Sequence, residues 1–186
     1  MSDADFRFIT AIAAKEAGLA IPDTKRSLVQ SRIVRRMRNL GLTSCRQYLE
    51  HLEGNFDETQ NLISALTTNV SHFFRELHHF EYLRNELLDQ SAKQLRFWSA
   101  GCSNGQEPYS LAIEILKKIP DAASRDILIL ATDIDETVLA NAAEGRYTES
   151  DIKGVPEEER TKFFQKVAGD TFEVDEALKR LVRFKK

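Results

Sequence analysis

Hydrophobic and polar positions give this chain two textures. Through about residue 90, apolar residues recur at helical spacing. Phe6, Ile9, Ile12 and Ala13 make one stripe. The pattern predicts a second helix from about Lys25 to Leu40, with Val29, Ile33, Met37 and Leu40 on one face and Gly41 at its C-terminal end. Thr43 or Ser44 can cap a third, carrying Tyr48, Leu49 and Leu52 and closed by Gly54. Leu62, Ile63 and Leu66 form the apolar side of a fourth, and a fifth is expected from about His78 to Gln90.

The texture then changes. Leu95-Arg96-Phe97-Trp98-Ser99 is a short β-type run with Gly101 just beyond it, followed by a predicted helix from about Glu107 to Lys118 that stops near Pro120. Ile127-Leu128-Ile129-Leu130-Ala131 is a continuous apolar run, the pattern of a strand buried on both faces. A further helix is expected over Glu136 to Glu144, ending at Gly145. Strand, glycine loop, helix, strand, helix is the opening of a doubly wound parallel sheet, so the class is α/β. After Tyr147 the chain is polar and acidic; Pro156-Glu157-Glu158-Glu159 opens a helix, and Leu181-Val182-Arg183-Phe184 reads as a third strand. Three strands would leave an edge and part of both faces uncovered, so a continuation beyond residue 186 is expected. The domains divide as residues 1–76, helical, and 77–186, a partial α/β domain.

Composition narrows the class without naming a ligand. Charges of both signs, with 42% hydrophobic residues, exclude wholesale disorder, and a net charge of −3 makes no case for nucleic acid or membrane. Cys45 and Cys102 lie far apart without metal-ligand spacing, which suits a reduced, cytoplasmic compartment. The acidic start, Met1-Ser2-Asp3-Ala4-Asp5, is no signal peptide, and no apolar run approaches the roughly 20 residues of a membrane span.

The chemistry concentrates in Phe97 to Ser110, which reads Phe-Trp-Ser-Ala-Gly-Cys-Ser-Asn-Gly-Gln-Glu-Pro-Tyr-Ser. Gly101 allows a tight turn off the strand, and Gly105 lets a ligand approach the helix start. A phosphate loop would place more glycines and a lysine here. This loop has no Lys or Arg and carries Glu107, which points to a positively charged nucleoside. S-adenosylmethionine, with a sulfonium and an amino group, meets that demand; a ligand-free strand-to-helix turn is the plainer alternative. The second strand leads into Ala131-Thr132-Asp133-Ile134-Asp135. An acid there can accept both ribose hydroxyls, and Asp133 is the better candidate, with Asp135 as helix N-cap. Gly101 lies farther from Asp133 than the roughly 20 residues of a dinucleotide unit, which weakens a nicotinamide reading.

Between the two textures runs Thr67-Thr68-Asn69-Val70-Ser71-His72-Phe73-Phe74-Arg75-Glu76. Asn69, Ser71 and Arg75 are polar groups able to line a cleft, whereas Phe73, Phe74 and Phe80 suit a core. His78 and His79 are adjacent and cannot face one metal together from a helix, so no metal site is expected. From Lys25 to Arg38 there are six basic residues and no acid. At about 100° per residue, Arg32, Arg35 and Arg38 fall away from the apolar face of that helix. They form either a docking stripe or a solvated face balanced by acids elsewhere.

Together, Thr68 to Glu76, Gly101 to Ser110 and Ala131 to Asp135 make the chain resemble the chemotaxis-receptor methyltransferases, the CheR family. The resemblance covers essentially the whole chain. It implies a helical domain followed by the first part of a Rossmann-like S-adenosylmethionine-dependent methyltransferase sheet. It implies cofactor contacts from Asn69, Ser71, Arg75, Gly101, Glu107 and Asp133, with Arg75 near the transferred methyl group as the catalytic candidate. The implied substrates are glutamate side chains on helical, glutamate-rich receptor regions, which Arg32, Arg35 and Arg38 would meet. Any membrane association is then indirect, through receptors. Asn104, Gln106 and Leu77 stand where the family often has Thr, Glu and Pro. An Asn-Leu turn, an Arg-Asn pair and the β-subdomain with which some members grip a receptor peptide are expected beyond residue 186. Two rivals stay open: a methyltransferase acting on nucleic acid, and a non-catalytic module that binds receptor or cofactor.

Overall fold

The computed structural model describes residues 1–67 and 71–186. Two compact units divide the chain, Met1–Thr68 and Asn69–Lys186. The division comes earlier than the break after residue 76 expected from the pattern. Phe73 and Phe74 are buried in the core of the second unit and draw their segment into it.

The first unit holds α1 (Asp3–Ala17), α2 (Arg26–Asn39), α3 (Cys45–Leu52) and α4 (Phe56–Leu66). Local chemistry sets their starts. Ser2 and Asp5 form a reciprocal capping box on α1, Ser44 and Gln47 another on α3, and the Asn55 side chain accepts from the Glu58 amide on α4. Phe6, Ile9, Val29, Ile33, Tyr48, Leu52 and Leu62 close the core, with Met37 and Leu40 packed at its edge. Inside it sits one carboxylate, Glu58, only 3% exposed. Arg36 grips it with both branches, Nε to Oε1 at 3.1 Å and Nη2 to Oε2 at 2.6 Å, and the Tyr48 hydroxyl donates to Oε1 at 2.9 Å. A buried carboxylate needs such partners.

The second unit starts with α5 (Leu77–Tyr82), which runs into a π-helical turn over Leu83–Leu87. There follow β1 (Gln94–Ala100), α6 (Gln106–Lys118), β2 (Asp126–Thr132) and α7 (Glu136–Glu144). Next come β3 (Arg146–Thr148), α8 (Glu149–Ile152), α9 (Glu157–Phe163), β4 (Phe164–Ala168) and β5 (Thr171–Val174). The chain then forms α10 (Glu176–Leu181) and β6 (Val182–Lys185). β1, β2 and β6 make a parallel sheet with β2 central, Phe97 opposite Ile129 and Ile129 opposite Val182.

Two expectations need correction. The apolar run of β2 is buried on one face only. Ile127, Ile129 and Ala131 are covered, with α6 and α10 packed against the strand, whereas Leu130 and its neighbour Trp98 are 37% and 68% exposed. The segment after Tyr147 also does more than form helices: β3, β5 and β4 pair, in that order, as an antiparallel sheet inserted between β2 and β6. A small inserted sheet therefore lies inside the chain, where one had been expected only beyond residue 186. An ionic contact fastens this insert to the main body. Lys117 of α6 pairs with Glu159 of α9, and on the same helix the 2% exposed Glu114, which accepts from Arg84 of the turn before β1 at 2.9 Å, also faces Lys117. Among the described residues no helix is long and apolar enough to cross a membrane.

Candidate functional site

At the carboxyl end of the parallel sheet the glycine loop turns on alternate left-handed residues: Gly101 at φ 71°, Ser103 at 51° and Gly105 at 87°. Ser103 is no glycine, and a left-handed serine is strained unless its surroundings hold it. They do so here. The Gly101 and Cys102 amides donate to the Thr132 carbonyl at 2.8 and 2.9 Å, which ties the loop to the end of β2. The Ser103 amide donates to Asp133 Oδ2 at 2.8 Å, and the Asp135 amide to Oδ1 at 3.0 Å. Asp135 in turn caps α7 through the Thr137 amide, as its position predicts.

A loop built on alternate left-handed residues can present its amides to an anion. In this chain one of those amides already holds Asp133, so the loop is turned onto a carboxylate of its own. Each Asp133 oxygen keeps lone pairs for further donors, and the residue is half-buried. Glu107 stands exposed in the first turn of α6, with Oε1 held by the Ser99 hydroxyl at 2.6 Å. The buried Cys102 thiol senses both acids. Burial pushes it up to about 12, and the charges of Asp133 and Glu107 push the same way. The local field is negative and favours a cation. Ser103 Oγ is buried with no hydrogen-bond partner. Gly101, Glu107 and Asp133 thus come together at one end of the sheet, and acceptors dominate what they offer. That fits a cationic nucleoside with free ribose hydroxyls better than a nucleotide phosphate.

Ser71 and Arg75 lie on a separate segment that packs onto this body. Phe73 is buried with its ring edge-on to Tyr147 and Phe164, and the Phe74 amide donates to the Ser110 hydroxyl of α6 at 3.0 Å. Phe74 and Glu76 are left-handed at φ 56° and 58°, so Arg75 sits exposed between two strained residues. Asn69 lies outside the described residues. His78 and His79 are both exposed, and among the described residues no group of three or more His, Cys, Asp or Glu could hold a metal ion.

The basic helix splits by role. Arg26 pairs with Asp3 at 2.5 Å and Arg36 with Glu58. Arg32 Nη1 donates to the Leu66 and Thr67 carbonyls at 2.6 and 2.8 Å, capping the end of α4. Arg35 and Arg38 are exposed, and with Ser27, Ser31 and Arg32 they line a groove along α2.

Sequence reasoning missed three contributors: Ser99, which holds Glu107; Ser103, which binds Asp133 through its amide; and Tyr147, whose hydroxyl donates to the Asn104 carbonyl at 2.7 Å. Ser99 could have been found from strand alternation, since Leu95, Phe97 and Ser99 share the inward face. The other two depend on partners distant in sequence and leave no local signal.

Fold and loop define a nucleoside-binding α/β class in which the glycine loop and the end of β2 offer acids, Glu107 and Asp133, and no basic side chain to the ligand. Residues 69–186 match the family model described as "CheR methyltransferase, SAM binding domain", and residues 4–67 match "CheR methyltransferase, all-alpha domain". The chain belongs to the CheR methyltransferase family. It is similar to a probable chemotaxis protein methyltransferase of Rhizobium etli, with 41% identity covering 91% of this chain and 67% of the relative. It is 39% identical to the chemotaxis protein methyltransferase of Escherichia coli K12, covering 91% of this chain and 59% of that protein. For chemotaxis protein methyltransferase 2 of Pseudomonas aeruginosa the identity is 36%, over 97% of this chain and 66% of the relative. The chain thus spans 59% to 67% of the length of these relatives.

Proposed function

We propose that the protein transfers a methyl group from S-adenosylmethionine to glutamate side chains of chemotaxis receptors, giving methyl esters. One observation carries the cofactor half of this reading: the glycine loop is turned onto Asp133, with Glu107 beside it and no basic side chain in the loop. Asp133, already oriented by two amides, would accept the ribose hydroxyls, and Glu107 would face the cationic part of the molecule. Ser71, Arg75 and Asn69 are the further contacts that the family resemblance supports.

S-adenosylmethionine supplies a methyl group on a sulfonium, whose carbon–sulfur bonding pair returns to sulfur as a carboxylate oxygen takes the methyl. A surface glutamate, with pKa about 4.3, is ionised near neutrality and needs no general base. The work left to this chain is alignment. Arg75 is suited to hold a carboxylate, either the incoming glutamate's or the cofactor's own. The receptor half rests on the family and on α2, where exposed Arg35 and Arg38 offer guanidinium groups to acidic receptor helices. Arg32, bound to the end of α4, would contribute chiefly by setting the surface around them. The reading makes this a cytoplasmic protein that reaches the membrane only through its receptor.

The test is incubation with methyl-labelled S-adenosylmethionine and receptor-bearing membranes, with RNA in parallel. The expected result is label in receptor protein that mild alkali releases as methanol. Label in RNA, or none anywhere while the protein still binds receptor, would overturn it.

A further inference from the structure

Tyr147 lies on the inserted sheet, outside every motif that marks the cofactor site, yet it touches two of the three segments that form it. Its hydroxyl donates to the Asn104 carbonyl in the glycine loop at 2.7 Å. Its ring meets Phe73 edge-on, with centroids 4.9 Å apart, on the segment that carries Ser71 and Arg75. The residue is 5% exposed and is held in the middle of β3, opposite Phe172 of β5. Its surroundings leave it one chemical role. Burial pushes the hydroxyl far above the ordinary phenol range, aided by Tyr109, Asp151 and Cys102, so it stays protonated and donates.

The Asn104 carbonyl is a sensitive place to apply a constraint. It sits between left-handed Ser103 and left-handed Gly105. Rotating the peptide that joins residues 104 and 105 would alter the φ of Gly105, and the loop would carry the Ser103 amide away from Asp133. Clearance is also small. A Cβ built on Gly105 would lie 3.0 Å from the Tyr147 hydroxyl and 2.9 Å from Ala142 Cβ. Loop and tyrosine therefore fit one arrangement, and the neighbouring packing resists others.

We propose that Tyr147 is a positioning residue for cofactor binding: its hydroxyl fixes the glycine loop through the Asn104 carbonyl, and its ring backs the segment bearing Ser71 and Arg75. This rests on the cofactor reading above. The inserted sheet is then part of the scaffold of the cofactor site.

The experiment is calorimetric titration of S-adenosylhomocysteine into the protein and two variants. Tyr147→Phe removes only the hydroxyl. Tyr109→Phe is the matched control, because the Tyr109 hydroxyl is equally buried and donates to the Ala142 carbonyl at 2.9 Å, without touching the loop carbonyl. Both variants should lower the melting temperature by similar amounts. Tyr147→Phe alone should raise the dissociation constant about fivefold, the factor equivalent to one lost hydrogen bond. A Tyr147→Phe constant equal to that of the parent, or an equal rise in both variants, would overturn the proposal. A parent protein that binds nothing would remove the cofactor reading itself, and this proposal with it.

Discussion

Replacing Arg36 separates the two roles mixed along α2. Arg35 and Arg36 are neighbours of identical chemistry, but only Arg36 reaches inward. It makes two contacts, at 2.6 and 3.1 Å, to a carboxylate that is 3% exposed. Arg36→Ala strands that carboxylate with the Tyr48 hydroxyl as its remaining side-chain partner. Breaking a buried ion pair from one side costs about 3–5 kcal/mol, and the surviving hydrogen bond recovers about 1, so a loss of about 2–4 kcal/mol is expected. Arg35→Ala, on an exposed side chain, should change stability by no more than about 0.5 kcal/mol. Urea denaturation followed by far-ultraviolet circular dichroism measures both. Adding Glu58→Ala to Arg36→Ala closes the cycle, and the coupling should exceed about 1 kcal/mol. If Arg36→Ala proved as mild as Arg35→Ala, the claim that the basic helix is partly structural would be wrong.

Other expectations follow from the same geometry. Gly105→Ala puts a methyl group within 3.0 Å of two side chains at φ 87°, whereas Gly169→Ala at φ 51° meets open space. Melting curves should show a loss of about 1 kcal/mol for the second and about 2–4 for the first, and equal losses would discredit the tight fit behind the loop. Burial alone would raise the Glu159 carboxyl, but its bond to Lys117 prevails and holds it below the usual range. A depressed carboxyl gives stability that is whole above its unfolded value, near 4.5, and is lost as pH falls toward the lower folded value. Denaturation between pH 6 and 3 should therefore show a shallower acid loss for Glu159→Gln than for the parent; parallel curves would refute the pairing. Arg35→Glu with Arg38→Glu should lower receptor methylation while leaving S-adenosylhomocysteine affinity intact, and unchanged methylation would remove α2 as a dock.

Much of this was legible in the sequence, for local reasons. Capping residues mark α3 and α7, and the apolar stripe of α2 identifies Val29 and Ile33 as buried. The resemblance to the family lies in three stretches taken together, Thr68 to Glu76, Gly101 to Ser110 and Ala131 to Asp135, which are far more specific than a lone glycine pattern. The inserted sheet was not legible. β3 is three residues long, and four of the five residues of β4 are exposed, so no alternation shows. Its pairing joins Arg146 to Glu173, which are distant in sequence. The one-sided burial of β2 was hidden because Leu128 and Leu130 read as core whatever covers them. Long-range hydrogen bonds are the remaining blind spot. That Arg32 would serve the Leu66 and Thr67 carbonyls, or Tyr147 that of Asn104, depends on tertiary proximity and not on residue type.

The central claim is that Asp133, held by loop amides, grips the adenosine methyl donor. Equilibrium dialysis with radiolabelled S-adenosylmethionine, comparing the parent with Asp133→Asn, tests it most directly. An amide nitrogen would face the Ser103 or the Asp135 amide, donor against donor, and the charge that attracts the ribose hydroxyls would be gone. Saturable binding by the parent is expected, with affinity at least about 30-fold weaker in the variant, the equivalent of a charged hydrogen bond of about 2 kcal/mol. Equal retention of label by both proteins would contradict the account.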